Sequence, residues 1–239
     1  MLTACVIVAA GRGHRLGGET PKQYIALEGG CPLRRCVHLF LGMARIGALQ
    51  VVIHPDDMPL YAEALRGLRD PRLLPPASGG ATRAASVLKG LEALAARRPD
   101  RVLVHDAARP FVSDAVVDAV IDALDAAPGA FAALPVVDAL WLSEDGRAET
   151  PVPREGLWRA QTPQGFHFDR LLAAHLAHQG DAADDVAVAR AAGLEVRVVQ
   201  GSEANFKITT SADLARARAE IARAEAVEPP RLELIANRS

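Results

Sequence analysis

Short apolar runs rich in β-branched residues alternate along the chain with longer stretches in which Ala and Leu recur at helical spacing. The runs Ala4–Val8, Gln50–His54, Arg101–His105, Ala130–Val136 and Glu195–Val199 read as strands. Pro32–Met43, Leu60–Leu68, Arg83–Ala96, Asp114–Ala126, Arg170–His178, Val186–Ala192 and Ala212–Ala226 read as helices. Ser211 is the expected N-cap of the last helix, with Asp213 in its first turn. Strands that are apolar throughout, rather than at alternate positions, are buried on both faces. The βαβα rhythm therefore predicts an α/β fold, a mostly parallel sheet covered by helices on both faces. Such sheets bind ligands beyond the carboxyl ends of their strands, here where the loops after Val8, His105 and Val136 meet.

One stretch breaks the rhythm. Asp138 to Gln164 is polar and interrupted by prolines, with a turn signal at Glu144-Asp145-Gly146. It reads as a protruding β-arm at about 138–164, serving either as a lid or as a dimer contact. The segment from Glu228 onward reads as a frayed end or linker, which divides the chain into a domain at 1–227 and a tail at 228–239.

The 239 residues carry a formal net charge of -2, with 50% hydrophobic and 23% charged residues. That suffices for one large core and argues against a general nucleic-acid binder, so any anion site must be local. Three cysteines (Cys5, Cys31, Cys36) without a CxxC pair read as reduced thiols in a cytoplasmic protein. Met1 leads straight into a strand without a signal-peptide pattern, and no apolar run reaches the roughly 20 residues that span a bilayer.

Against this bland background, residues 6–22 (VIVAAGRGHRLGGETPK) stand out. A strand ends at two alanines and a glycine, and the loop that follows gathers Arg12, Arg15 and Lys22 with only Glu19 opposing them. The spacing is neither a Walker A loop nor GxGxxG. A plain strand-to-helix turn explains the glycines but not the cations, which repel unless an anion arrives. The loop reads as a phosphate cradle for a nucleoside triphosphate. A second signal is VLVHDAARPFV, where Asp106 ends a buried strand and Arg109 follows before Pro110. Alone, the pair is either an ion pair ordering a loop or a ligand set. Its position at the same sheet edge favours function, and a carboxylate beside a triphosphate suits Mg²⁺.

Taken in order, AAGRGHRLGGETPKQY, SGGATRAASV, VHDAARP, GLWRAQTPQGF and NFKITTSADL resemble the 2-C-methyl-D-erythritol 4-phosphate cytidylyltransferases of the nonmevalonate isoprenoid pathway. The likeness covers nearly the whole chain from about Ala4, and implies a single Rossmann-like nucleotidyltransferase domain. It implies transfer of a cytidylyl group from CTP to methylerythritol phosphate with Mg²⁺ or another divalent cation, releasing pyrophosphate. By the same resemblance, Arg15 and Lys22 stabilise the transition state at the α-phosphorus, and Ala9, Ala10 and Gly11 form the nucleotide-contacting turn. Gly80 and Ser86 lie around cytosine and ribose, while Asp106 and Arg109 face metal and substrate. Arg154 in the arm and Lys207 after the last strand position the acceptor, Thr162 lies in the substrate-side TPQ turn, and the arm joins a homodimer. Ala139, Trp141 and Leu142 depart from the family pattern where a threonine and a basic pair are usual, and Ala81 where some members carry an acid. Some relatives fuse a cyclodiphosphate synthase after this domain, and the tail is a candidate remnant linker.

The chemistry fits on its own terms. A phosphomonoester with a second pKa of about 6 is already a nucleophile at neutral pH, so charge repulsion rather than deprotonation is the obstacle. Two competing readings remain: a related acceptor such as ribitol 5-phosphate, and a non-catalytic nucleotide-binding regulatory module. Among the remaining residues, His54 reads as a loop hydrogen-bonder, and His105 as either a core histidine or a support for Asp106. His175 and His178 read as surface residues, Asp184-Asp185 as a helix cap, and Trp141 and Trp158 as packing or subunit-contact residues on the arm.

Overall fold

The computed structural model describes residues 1–12 and 20–227. Arg15 and the segment 228–239 lie outside the described residues. Five of the strands are β1 (Thr3–Ala9), β2 (Ile46–Ile53), β4 (Arg101–Asp106), β5 (Gly129–Pro135) and β9 (Val196–Gln200), each at an expected strand. With β3 (Ala77–Ser78) and β8 (Trp158–His167) they form a seven-stranded sheet ordered β3-β2-β1-β4-β8-β5-β9. All neighbours are parallel except β8, which runs antiparallel to β4 and β5.

Six α-helices lie between these strands among the described residues, α1 (Pro32–Gly42), α2 (Met58–Ala64), α3 (Arg83–Leu94), α4 (Asp114–Ala123), α5 (Phe168–Ala177) and α6 (Asp185–Ala191), and a seventh, α7 (Ser211–Val227), follows the last strand. Successive residues of the central strands feed opposite cores. Cys5, Ile7 and Leu103 pack with Val37 and Phe40 of α1 and Val117 and Ile121 of α4. Val6, Val102 and Val104 pack with Val87, Leu91 and Leu94 of α3 and with Leu171 of α5. Burial on both faces is why these strands carry no polar alternation.

Residues 140–152 form a separate antiparallel hairpin, β6 (Leu140–Glu144) paired with β7 (Arg147–Val152). Its two-residue turn is Asp145–Gly146, with φ of 48° and 77°, the left-handed pair that a tight hairpin needs. The expected arm continued to Gln164, but residues from Trp158 onward leave the hairpin and enter the main sheet as β8. The start of α7 also differs from expectation. Thr210 Oγ1 accepts from Asp213 N–H at 3.2 Å, while Asp213 Oδ2 accepts from the Thr209 and Thr210 N–H groups, each at 2.9 Å. This reciprocal capping box puts the cap on Thr210, one residue before Ser211. Asp184 does cap α6, through Oδ1 and the Ala187 N–H at 2.9 Å.

Candidate active site

Register brings the site together. Val8 of β1 pairs with Asp106 of β4, and Ala9 with Ile53 of β2, so the loops after these three strands leave the sheet side by side. A pocket of about 460 Å³ opens there, lined by Ala9, Ala10 and Gly11, by Lys22, by Gly80 and Ser86, and by Asp106 and Lys207. Eight of the residues singled out in the sequence thus share one cavity.

The walls explain why these residue types are needed. Gln23 is buried just after Lys22, and its Nε2 donates to the carbonyls of Ala9 at 2.6 Å and Gly11 at 3.1 Å. One side chain therefore ties the end of the glycine loop back to its beginning. On the facing wall, Ser86 Oγ accepts from the Gly80 N–H at 3.1 Å and donates to the Thr82 carbonyl at 2.9 Å. A Cβ at Gly79 would lie 2.5 Å from Ala10 Cβ, and one at Gly80 would lie 2.5 Å from Ala85 Cβ. The two loops approach each other too closely for a side chain at Gly79, and the first turn of α3 leaves no room for one at Gly80.

Charge is concentrated at Asp106. Lys207 Nζ lies 2.8 Å from its Oδ2, Arg83 Nε lies 3.5 Å from its Oδ1, and Arg109 Nε lies 3.8 Å from Oδ2. Burial alone would raise the carboxyl's pKa, but Lys207, Arg83 and Arg109 overcome it and hold the group far below the usual carboxylate range. Among the described residues lining the pocket, Asp106 is the one carboxylate, facing Arg12, Lys22, Arg83 and Lys207. Arg12 is not unopposed as the loop sequence suggests. Its guanidinium meets Asp57 at 3.0 Å and Asp56 at 2.8 Å, both delivered from the turn after β2, and it contacts His54 Nδ1 at 2.7 Å. That turn is ordered by His54 Nδ1, which accepts from the Asp56 N–H.

A second layer supports Asp106. Its N–H donates to Thr162 Oγ1 at 3.1 Å, and Thr162 Oγ1 lies 3.1 Å from His105 Nδ1. His105 Nε2 lies 3.0 Å from the Arg109 carbonyl, which can only accept. Nε2 therefore carries the proton and Nδ1 accepts from the threonine hydroxyl. Complete burial pushes the His105 pKa down to about 4, so the ring is neutral near pH 7. Thr162 thus stands behind Asp106 rather than on the pocket surface. Arg109 donates to the Asn205 carbonyl at 2.8 Å, and Asn205 Nδ2 donates to the Thr162 carbonyl at 2.7 Å, joining β4, β8 and the loop before α7. Phe206 stacks on Phe111 with ring centroids 5.4 Å apart, and Arg216 covers the outer face of Phe206, which anchors the backbone on which Lys207 stands.

The structure keeps Arg154 apart from this cluster. It lies on the exposed return of the arm, donates to the Val137 carbonyl, and is not among the residues lining the pocket. Two important side chains escaped the sequence reading. Gln23 sits inside PKQY as one polar residue among several. Arg83 reads as an ordinary first residue of α3, yet a cation at the positive end of a helix is unfavourable without anionic partners, and that was its signal.

An α/β sheet with glycine-rich loops and clustered cations beyond its strand ends is the architecture of a nucleotide-binding α/β protein. Sequence comparison narrows the class: the profile of the family described as IspD, 2-C-methyl-D-erythritol 4-phosphate cytidylyltransferase, matches residues 3–223. The chain belongs to that family. It is 51% identical over 217 residues to the 2-C-methyl-D-erythritol 4-phosphate cytidylyltransferase of Cereibacter sphaeroides, covering 91% of this chain and 96% of that one. It is 50% identical to the bifunctional enzyme IspD/IspF of Paramagnetospirillum magneticum, with 90% of this chain matching 56% of the longer protein. Among solved structures, the 2-C-methyl-D-erythritol 4-phosphate cytidylyltransferase of Thermus thermophilus superposes with a TM-score of 0.75 at 34% identity, covering 93% of this chain and all of that one.

Proposed function

We infer that this chain is a nucleotidyltransferase that moves the cytidylyl group of CTP onto 2-C-methyl-D-erythritol 4-phosphate, yielding 4-diphosphocytidyl-2-C-methyl-D-erythritol and pyrophosphate. The observation that carries this reading is the convergence of Lys22, Arg83 and Lys207 with Asp106 on one pocket framed by two glycine turns.

The reaction joins two anions. At about 4 Å and an effective dielectric constant of about 20, each pair of like unit charges costs about 4 kcal/mol. Each cation held in place beforehand offsets a comparable amount, so positioned lysines and arginines supply the catalysis. The acceptor phosphate attacks the α-phosphorus as an anion and the bond to pyrophosphate breaks, with no proton to remove. His105, buried with both ring nitrogens engaged, is not available as a base. Ala9, Ala10 and Gly11 receive the nucleotide along the backbone, and Gly80 and Ser86 shape the wall for its base and ribose. Lys22, with Arg15 from the same loop, stabilises charge at the α-phosphorus. Lys207, 36% exposed at its side chain, is the cation that turns from Asp106 to the acceptor phosphate, and Arg109 maintains the loop beneath it.

A divalent cation such as Mg²⁺ fits this donor set, because a hard ion bound largely by phosphate oxygens needs one or two protein carboxylates and Asp106 lines the pocket. Asp106 would hold it, and it would neutralise phosphate charge.

The arm suits a homodimer contact. Val137, Trp141, Leu142, Leu157 and Trp158 are all exposed large apolar residues within or beside it, more than a solvated hairpin requires. In this reading the arm carries Arg154, in the loop between β7 and β8, to the acceptor side of a partner's pocket, with Thr162 further along on β8. Three buried free thiols suit the reducing cytoplasm. No described helix is long and apolar enough to cross a membrane. A pyrophosphate-release panel tests the assignment, setting CTP, UTP and ATP against methylerythritol phosphate and ribitol 5-phosphate. Turnover confined to CTP with methylerythritol phosphate is expected. Preference for ribitol phosphate would replace the acceptor, and nucleotide binding without pyrophosphate release would make the chain a regulatory module.

A further inference from the structure

The Asp184-Asp185 pair opening α6 has a division of labour that the sequence hides. Asp184 does the capping, and its Oδ2 accepts from Gln164 Nε2 at 2.9 Å. The first backbone N–H groups of α6, from Asp185 and Val186, donate to Gln164 Oε1 at 3.0 and 3.2 Å. The helix terminus is therefore satisfied without the Asp185 carboxylate, which is nevertheless fully buried. Its Oδ1 meets His175 Nε2 of α5 at 3.1 Å, and its Oδ2 meets Arg83 Nη2 at 2.8 Å. Arg83 in turn faces Asp106 Oδ1 through Nε.

A continuous line of side chains thus runs from α5 through α6 to the pocket wall: His175, Asp185, Arg83, Asp106. A buried carboxylate is a poor device for stability alone, because removing it from water costs more than a well-packed apolar residue in its place. It is well suited to holding a long, flexible cation in one pose. Arg83 also sits at the N-terminus of α3, where the helix dipole disfavours a positive charge and a fixed anion is needed to keep it there.

We propose that Asp185, buttressed by His175, is a positioning residue for nucleotide binding: it fixes Arg83 in the pocket wall, so that Arg83 holds Oδ1 of Asp106 and presents its charge to the nucleotide phosphates. The inference rests on the cytidylyltransferase reading and adds a residue that touches no substrate. A planar fork that spans two carboxylates does this, whereas a lysine ammonium would collapse onto one of them.

The test is a double-mutant cycle read by calorimetric CTP binding to the full-length chain, with melting temperatures measured alongside. D185N keeps the shape of the side chain and can still accept from His175. In the wild-type background it should weaken the CTP Kd about tenfold, as expected when the buried charge that orients Arg83 is removed. In the R83Q background the same substitution should change Kd by less than about twofold, because its effect passes through Arg83. An equal weakening in both backgrounds would overturn the proposal. So would an unchanged Kd with a lowered melting temperature, the signature of a purely structural pair. Should D185N not fold, R83K and R83Q decide the matter. The proposal requires both to bind CTP equally weakly, and recovery by R83K overturns it. Pyrophosphate release by the wild type separates the two levels: without it the assigned function fails, whereas normal turnover with an unaffected D185N removes only this inference.

Discussion

Acidification from about pH 7 to about pH 5 is expected to weaken the fold through His105, and the size of the effect follows from its surroundings. The ring is fully buried, with Nε2–H committed to the Arg109 carbonyl and Nδ1 to the Thr162 hydroxyl. Its pKa is pushed down to about 4 by burial, against a value of about 6.5 in an unfolded chain. Between these values the unfolded state takes up a proton that the folded state refuses, so stability must fall as pH drops through about 6.5 and level off below about 4. Weighting the protonated fractions gives a loss of about 2 kcal/mol between about pH 7 and about pH 5. Urea denaturation at both pH values, on the wild type and on His105→Gln, measures it. The variant starts less stable because it disturbs the Thr162 contact, but it lacks this titration. Its pH-dependent loss should therefore be smaller than the wild type's by about that 2 kcal/mol. Equal losses in the two proteins would refute the neutral-ring assignment, and with it the chain of hydrogen bonds drawn behind Asp106.

Steady-state kinetics of Lys22→Ala should show kcat falling far more than the KM for CTP rises, and an unchanged kcat would remove Lys22 from the chemistry. Gly79→Ala would place a Cβ 2.9 Å from Ser86 Oγ as well as against Ala10, so a loss of about 1–3 kcal/mol and a raised KM for CTP are expected. Gly42→Ala, with nothing within 4 Å, is the control, and a Gly79 variant equally benign would show that the two loops are not in tight contact. If the arm joins subunits, sedimentation of Trp141→Asp/Leu142→Asp should give half the wild-type mass, and a monomeric wild type would free the arm from that role.

The strands that build the two cores could be read directly, because Val6 and Ile7 or Val102 and Leu103 are apolar on both sides and the pattern needs no partner to interpret it. The same holds for the Asp145–Gly146 turn, where local backbone chemistry decides the outcome. What escaped was long-range. The residues of β8 include Gln161, Thr162, Pro163 and Gln164, which resemble loop composition, yet their polar groups are buried against Ser202, His105 and Asp184. Nothing local announces those partners. The same blindness left Arg12 looking unopposed, since Asp56 and Asp57 approach from the end of β2. It also left Arg83 looking like an ordinary first residue of α3, although the buried Asp185 lies beneath it. At the site itself, glycines and cations were recognisable from their types, but the layer that orients them was not.

Strand β8 is at once the exit of the arm and a central rib of the sheet, clamped by β4 on one side and β5 on the other. Inserting or deleting one residue within Trp158–His167 would reverse which way each side chain points, sending Thr162 away from His105. The hairpin tip at Asp145–Gly146 has no such coupling, being exposed and remote in sequence from the rib. Lineages descended from this chain are therefore free to lengthen or shorten the hairpin at its tip without retuning catalysis, while the rib itself is closed to change in length.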